Sequence, residues 1–240
     1  MIELSLDKVH GYVLQVLDEI RNTEDDAMLA ETEDLDAIDT RKMAEGFFVE
    51  AVLKAHKDAP SYLVDGVKGT EQPRPSEEAT PKEGENPEEE ETKYDYSVTL
   101  DGTTAKIVML QESARLASIK ASDSDIVVVD YAPEDSPIGR MQNNKYVRGA
   151  HDDPRLIVKK VWESVRKPEY LYYSVKDSSA TFDLEYVPYP VLQDDKLSVS
   201  DKLEYAVLNL LASMVLEALG LIDKANIYKT KYVEYLQSAR

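Results

Sequence analysis

The stretch YVPYPVLQDDKLSVSDKLEYAVLNLLASMVLEALGLIDKANIYKTKYVEYLQ, Tyr186 to Gln237, decides the fold. It reads as a strand ending in a Tyr-Pro turn, a polar connection, and then two helices. The first helix, from about Asp201 to Leu219, carries Leu203, Ala206, Val207, Leu210, Leu211, Met214, Val215, Ala218 and Leu219. These fill more than one face, so the helix needs neighbours on two sides. Ser200 suits its N-cap and Gly220 its C′ position. The second helix, about Asp223 to Gln237, offers Ala225, Tyr228, Tyr232 and Leu236. Burying each large aliphatic side chain contributes about 1.5–3 kcal/mol, with Leu210, Leu211, Met214 and Val215 as the expected centre.

The other side of this hairpin is expected at the opposite end of the chain. A helix over Leu6–Asn22 places Val9, Val13, Val16, Leu17 and Ile20 on one stripe. After an acidic loop, a second helix is expected from about Asp36 to Lys57. Its apolar face holds Ile38, Phe47, Ala51, Val52 and Ala55, and Pro60 follows its end. Between the helical ends the apolar period changes to two. Tyr96, Val98 and Leu100 alternate up to Asp101-Gly102, a hairpin signal answered by a return strand over 105–110. Further strands are expected at 115–120, 126–130, 156–165, 171–175 and 181–187. In the last, Phe182, Leu184 and Tyr186 alternate with polar residues, giving one buried and one wet face.

The expected fold class is therefore α+β. Residues 1–65 and 196–240 form a helical domain, and 94–195 a small antiparallel β domain inserted into it. Residues 66–93 contain four prolines and end in Glu88-Glu89-Glu90-Glu91. That composition predicts a disordered acidic insertion, because it buries too little surface to offset its ordering entropy.

Composition narrows the function classes. The chain has 240 residues and a net charge of −19. A nucleic-acid grip needs phosphate-neutralising cations, so adhesion to DNA is disfavoured, whereas passage of DNA nearby is not. Cysteine is absent, which removes disulfides and thiolate chemistry. No apolar run long enough for a transmembrane helix occurs, and the N-terminus lacks a secretion-signal pattern. The three histidines, His10, His56 and His151, have no paired ligand spacing. No phosphate-cradling or nucleophile motif is found, so no catalytic residue, cofactor or metal ligand is assigned. A paired-carboxylate hydrolase stands as a rival, one that requires a carboxyl group held in an apolar pocket.

Charge is unevenly distributed. Residues 1–65 hold 16 acids against 6 Lys/Arg, whereas 140–167 hold eight cations against three acids. Such opposed patches suit head-to-tail association of copies. Tyrosine is abundant, at 15 residues, and supplies contact area with a polar tip.

Several segments, in this order, carry a family likeness. They are APSYL (59–63), KIVMLQESARLASIK (106–120), NKYVRG (144–149), DLEYVPYP (183–190) and LEYAVLNLLASMVLEALG (203–220) with its Tyr-rich closing helix. The chain resembles the tail tubular protein A-like head-to-tail adaptors of short-tailed bacteriophages and the ring proteins of crAss-like phages. The likeness spans most of the chain apart from the acidic insertion. It implies a structural virion protein of the neck or tail, made in the host cytoplasm. Copies would form a homo-oligomeric ring of about a dozen around a channel for DNA. The helical domain would meet the portal protein and sibling subunits, and the β domain the next tail component. On this reading Tyr228, Tyr232 and Tyr235 are expected at neighbouring subunits. Arg148, Arg155, Lys159 and Lys160 are expected to pair with acids on the adjacent copy. The alternative is an acidic, non-enzymatic binding module that captures a basic protein partner through residues 1–65 and the glutamate run.

Overall fold

The computed structural model describes residues 1–23, 39–72, 94–142, 144, 146–150, 152–159, 166–176 and 179–238. The fold is α+β, and the chain divides into two units: 1–65 with 190–240, and 66–189.

The first unit is built around the apolar helix foreseen at the C-terminal end. A short 3-10 turn at Asp201–Leu203 leads into helix α4 (Glu204–Ala218). Residues 206–213 are all buried, as are Val215 and Leu216; Met214 is only partly so. Helix α1 (Leu6–Thr23), helix α2 (Thr40–Asp58) and helix α5 (Ile222–Ser238) all pack on α4. The α1 stripe Val9, Val13, Val16, Leu17 and Ile20 is buried as its spacing requires. Gly220, at φ 78°, ends α4 as a Schellman motif. Its N–H donates to Glu217 O at 3.0 Å, and that of Leu221 to Leu216 O at 2.9 Å.

Three expectations for this unit need correction. Helix α2 begins at Thr40 and not near Asp36, because Asp39 is its cap and accepts the Lys42 N–H at 3.1 Å. Its inward aromatic is Phe48, in step with Ala44, Ala51, Val52 and Ala55; Phe47 lies at the margin, and Ile38 falls outside the described residues. Ser200 precedes the 3-10 turn without capping it through its side chain. Its buried hydroxyl lies 2.8 Å from Leu63 O and 2.9 Å from Asp65 Oδ2, and accepts the Asp65 N–H at 3.1 Å.

Two short strands close the unit. Strand β1 (Ile2–Ser5) pairs antiparallel with a late strand at Lys196–Val199, and Leu6 N–H donates to Asp195 O at 2.7 Å. The C-terminal segment of the helical unit therefore begins at Pro190, ahead of the expected residue 196.

The second unit holds two sheets where one small sheet was expected. Strand β2 (Val67–Lys68), β3 (Tyr96–Asp101), β4 (Thr104–Met109), β5 (Ser113–Ala121), β6 (Val127–Val128), β7 (Ala132–Pro133), β8 (Arg155–Lys159), β9 (Glu169–Tyr173) and β10 (Phe182–Pro188) belong to it; Lys196–Val199 is β11. The four-stranded sheet runs β2-β10-β5-β6 and the five-stranded sheet β3-β4-β9-β8-β7, with only β7 and β8 parallel. Gly102, at φ 57°, turns β3 into β4. One apolar cluster draws Tyr96, Ile107, Leu156 and Tyr172 from the larger sheet and Leu116, Ile119, Phe182 and Leu184 from the smaller. The Tyr96 hydroxyl donates to the Phe182 carbonyl, and the Tyr172 and Phe182 rings meet edge to face at 5.4 Å.

Residues 66–72, expected to be disordered with the rest of the insertion, are part of this unit. Val67 and Lys68 pair with Tyr186 and Glu185, and Gly69 N–H donates to Leu184 O at 2.8 Å. Main-chain hydrogen bonding orders a stretch whose side chains bury little. The remainder of the acidic insertion, 73–93, lies outside the described residues.

Candidate docking surface

Two of the three tyrosines of α5 face inward. Residues spaced three and four apart share one side of a helix, so Ala225, Tyr228, Tyr232 and Leu236 turn together into the unit. Tyr228 and Tyr232 are 6% and 4% exposed, and their hydroxyls reach Glu19 Oε2 at 3.5 Å and Asp58 Oδ2 at 3.0 Å. Burial first, then these carboxylates, push both phenols above their ordinary pKa. Tyr235 is half-buried; its ring tilts against Tyr205 at 5.4 Å and its hydroxyl donates to Lys202 O at 2.9 Å. Tyr228 and Tyr232 thus pack within the unit, while Tyr235, also expected at neighbouring subunits, keeps part of its surface exposed. The exposed apolar side chains of α5 are Ile222, Ile227 and Val233.

The expected cationic contacts separate in the same way. Arg155 is engaged at home, its guanidinium 2.6 Å from Asp153 Oδ2. Arg148 is exposed, in the loop before β8. Lys159 ends β8 opposite Glu169 and its side chain is not among those described; Lys160 lies outside the described residues. Arg166 pairs with Glu112 at 3.3 Å and lies over the Tyr189 ring.

A different surface emerges where the chain passes between the two sheets of the second unit. After β5, Ser124 Oγ accepts the Ile126 N–H at 3.2 Å and Asp123 Oδ2 accepts the Lys176 N–H at 2.7 Å, fixing the turn. Strand β6 then pairs briefly with β5, Val127 opposite Lys120 and Val128 opposite Ile119. A few residues later β7 joins β8 in the other sheet. Strands β6 and β7 are each the last strand of their sheet.

The short helix α3 (Pro137–Met141) supplies another wall. Ser136 caps it by accepting the Gly139 N–H at 3.0 Å, with Pro137 in its first turn. Gly139 is required by a close approach: a Cβ there would lie 2.4 Å from Glu134 O and 2.5 Å from Pro133 O. Buried Gln142 ties this wall to the next loop, donating to Ile138 O at 2.8 Å and accepting from Gly149 N–H at 2.9 Å.

The result is a groove of about 350 Å³ lined by residues 126–132, Ile138 and 152–156. Ile126, Val127, Val129 and Ile138 stand exposed along it, Val127 at 51%. Met141, Tyr146 and Val147 are exposed on α3 and the loop after it. Exposed aliphatic side chains gathered in one groove are the usual mark of a contact surface. The polar groups lining it are Asp130, Tyr131, Asp152, Asp153 and Arg155. Of these, Arg155 is matched by Asp153.

The strand expected over 126–130 (IVVVD) is reduced to Val127–Val128. Its lack of alternation is the only trace of the groove in the sequence, since only Val128 of the run is buried.

Deeper in this unit the Tyr172 hydroxyl lies near Ser124, Asp123 and Ser174. Burial raises its pKa, and Ser174 holds a left-handed φ of 115°. His56 is 1% exposed in the helical unit. Its Nδ1 lies 2.9 Å from Val52 O and carries the proton, leaving Nε2 to accept the Ser200 N–H at 3.2 Å. His10 contacts Thr40 Oγ1 at 3.1 Å, and His151 lies outside the described residues. Among the described residues there is no group of three or more His, Cys, Asp or Glu side chains placed to hold a metal ion, and no helix long and apolar enough to cross a membrane. No protein-family model, curated protein or solved structure matches the chain.

Proposed function

We propose that this protein is a non-enzymatic assembly component, a head-to-tail adaptor whose copies form a ring beneath a portal and leave a channel for DNA. The observation that carries the reading is the groove of the second unit, which exposed Ile126, Val127, Val129 and Ile138 line together. Such a surface is suited to another macromolecule. The order of parts along the chain supports the adaptor class. The net charge of −19 supports a lumen along which DNA slides without adhering. Head-to-tail contacts close into a ring when the rotation between copies fits.

Negative-stain imaging of the purified protein, alone and mixed with a portal protein of the same virus, tests the reading. The expected outcome is a ring seated on one face of the portal. A protein that remains a monomer and ignores the portal removes the proposal.

A further inference from the structure

We infer that Tyr205 and Tyr235 are a site of oxidative modification, at which a peroxidase supplied with hydrogen peroxide joins the two phenol rings and ties α4 to α5. Three observations lead there. The first is spacing. The ring centres lie 5.4 Å apart with their planes tilted at 57°. A bond between the carbons beside the two hydroxyls sets the ring centres two ring radii and one bond apart, with the planes twisted. The pair is already twisted and has less than one carbon–carbon bond length to close. Tyr12 meets Tyr205 edge to face at 6.5 Å, and Tyr131 meets Tyr170 in the same way at 5.7 Å. There the edge of one ring is aimed at the face of the other, which keeps the reactive carbons apart.

The second is access. Tyr205 is 45% exposed and Tyr235 is half-buried, so the pair meets an oxidant at the surface and releases protons to water. Tyr170, at 2% exposed, is shut away from both. The third is position. Tyr205 lies in the first turn of α4 and Tyr235 in the last turn of α5, while the Gly220 turn joins the other ends of these helices. A covalent bond at this place closes the open end of the hairpin. It does what a disulfide would do, and the chain has no cysteine to make one.

In the reaction each phenol gives up one electron and its hydroxyl proton. The peroxide takes up both electrons and both protons and leaves as two waters. The two phenoxyl radicals share their unpaired electrons in a new carbon–carbon bond between the ring carbons next to the oxygens. The hydrogens on those carbons then move to the oxygens and restore both hydroxyls. The protein is lighter by two hydrogen atoms. Both tyrosines belong to one chain, so the inference does not depend on the closing of a ring.

The test treats the full chain with horseradish peroxidase and hydrogen peroxide at two protein concentrations. The monomer band is digested with trypsin, and joined peptides are identified by mass spectrometry. The same treatment is given to Tyr205→Phe, to Tyr235→Phe and to the native chain in denaturing urea, and thermal melts check that the variants fold. The expected product joins peptide 203–224 to peptide 232–240, with fragment ions placing the bond on Tyr205 and Tyr235. Its yield is unchanged on dilution, because the partner ring is held at a fixed effective concentration. Coupling between molecules through Tyr62 and Tyr146, which are 50% and 82% exposed, falls on dilution instead. The yield drops at least about tenfold in urea, where that effective concentration is lost, and the product is missing from both variants. The cross-linked monomer unfolds at a higher urea concentration than the untreated one. No joined peptide in the monomer, a bond placed on Tyr12 or Tyr232, a yield that falls with dilution, or coupling kept in either variant each overturns the inference. The mapping on the native chain decides it even where a variant fails to fold. A joined pair in protein that ignores the portal sinks only the adaptor reading.

Discussion

At the scale of single residues, hydroxyl groups hold the helical unit together at its margins. Tyr232 buries its ring and donates to Asp58 at 3.0 Å. Burial and that carboxylate both keep the phenol neutral in the folded state, so its native pKa lies above the unfolded value of about 10. The associated stability is complete below about pH 10 and is lost as the pH rises toward the native pKa, because only the unfolded chain releases the proton. Tyr12 and Tyr228 are shifted in the same direction, chiefly by burial, and add to the effect. Tyr232→Phe is expected to cost roughly 1 kcal/mol at neutral pH through the lost hydrogen bond. It should also flatten the fall in stability above about pH 10, as followed by urea unfolding across that range. The tyrosine stripe was evident from the sequence; its direction was not. Tyr228 and Tyr232 share a helix side with Ala225 and Leu236, and small and large apolar neighbours on one side mark an inward face. His56 was harder still, because its partner Ser200 stands 144 positions away and forms no motif with it.

At the scale of elements, α4 is the strut of the helical unit. Leu211 is fully buried where α1, α2 and α5 all pack on that helix. Leu211→Ala should cost about 2–5 kcal/mol, read as a lowered urea midpoint with the far-UV spectrum retained in buffer. Strong periodicity made α1 and α4 readable directly. The sequence is silent where order comes from pairing. Strands β1, β2, β7 and β11 have two to four residues each and too few inward side chains for a period to register. The start of α2 moved because a cap, Asp39, outweighs an apolar residue upstream. The groove was missed for a related reason. Four consecutive aliphatic and acidic positions, 127–130, look like a strand, but a run without alternation does not say which side chains face water.

At the scale of the whole molecule, the second unit is entered and left at neighbouring places. Gly66 approaches Tyr186, the next residue Val67 pairs with it, and Tyr189 N–H donates to Glu112 O at 3.0 Å before the chain departs. A self-contained core and adjoining ends are the features of an inserted domain. Residues 66–189 expressed alone are expected to give a cooperative thermal transition and dispersed amide resonances. A fragment without either would mean that its core is incomplete. The helical ends and β-rich middle were foreseeable from the change of apolar period; the division of the middle into two sheets was not, because the register of nonlocal strands is absent from local pattern.

The nesting of one unit inside the other also sets a timetable. As the polypeptide leaves the ribosome, 66–189 has all its partners in hand and can fold at once. Helices α1 and α2 have already emerged, yet the helix that shelters their apolar sides is translated only after that unit. A product terminated before α4 therefore keeps those stripes bare, open to chaperones and proteases, while a chain that includes it conceals them.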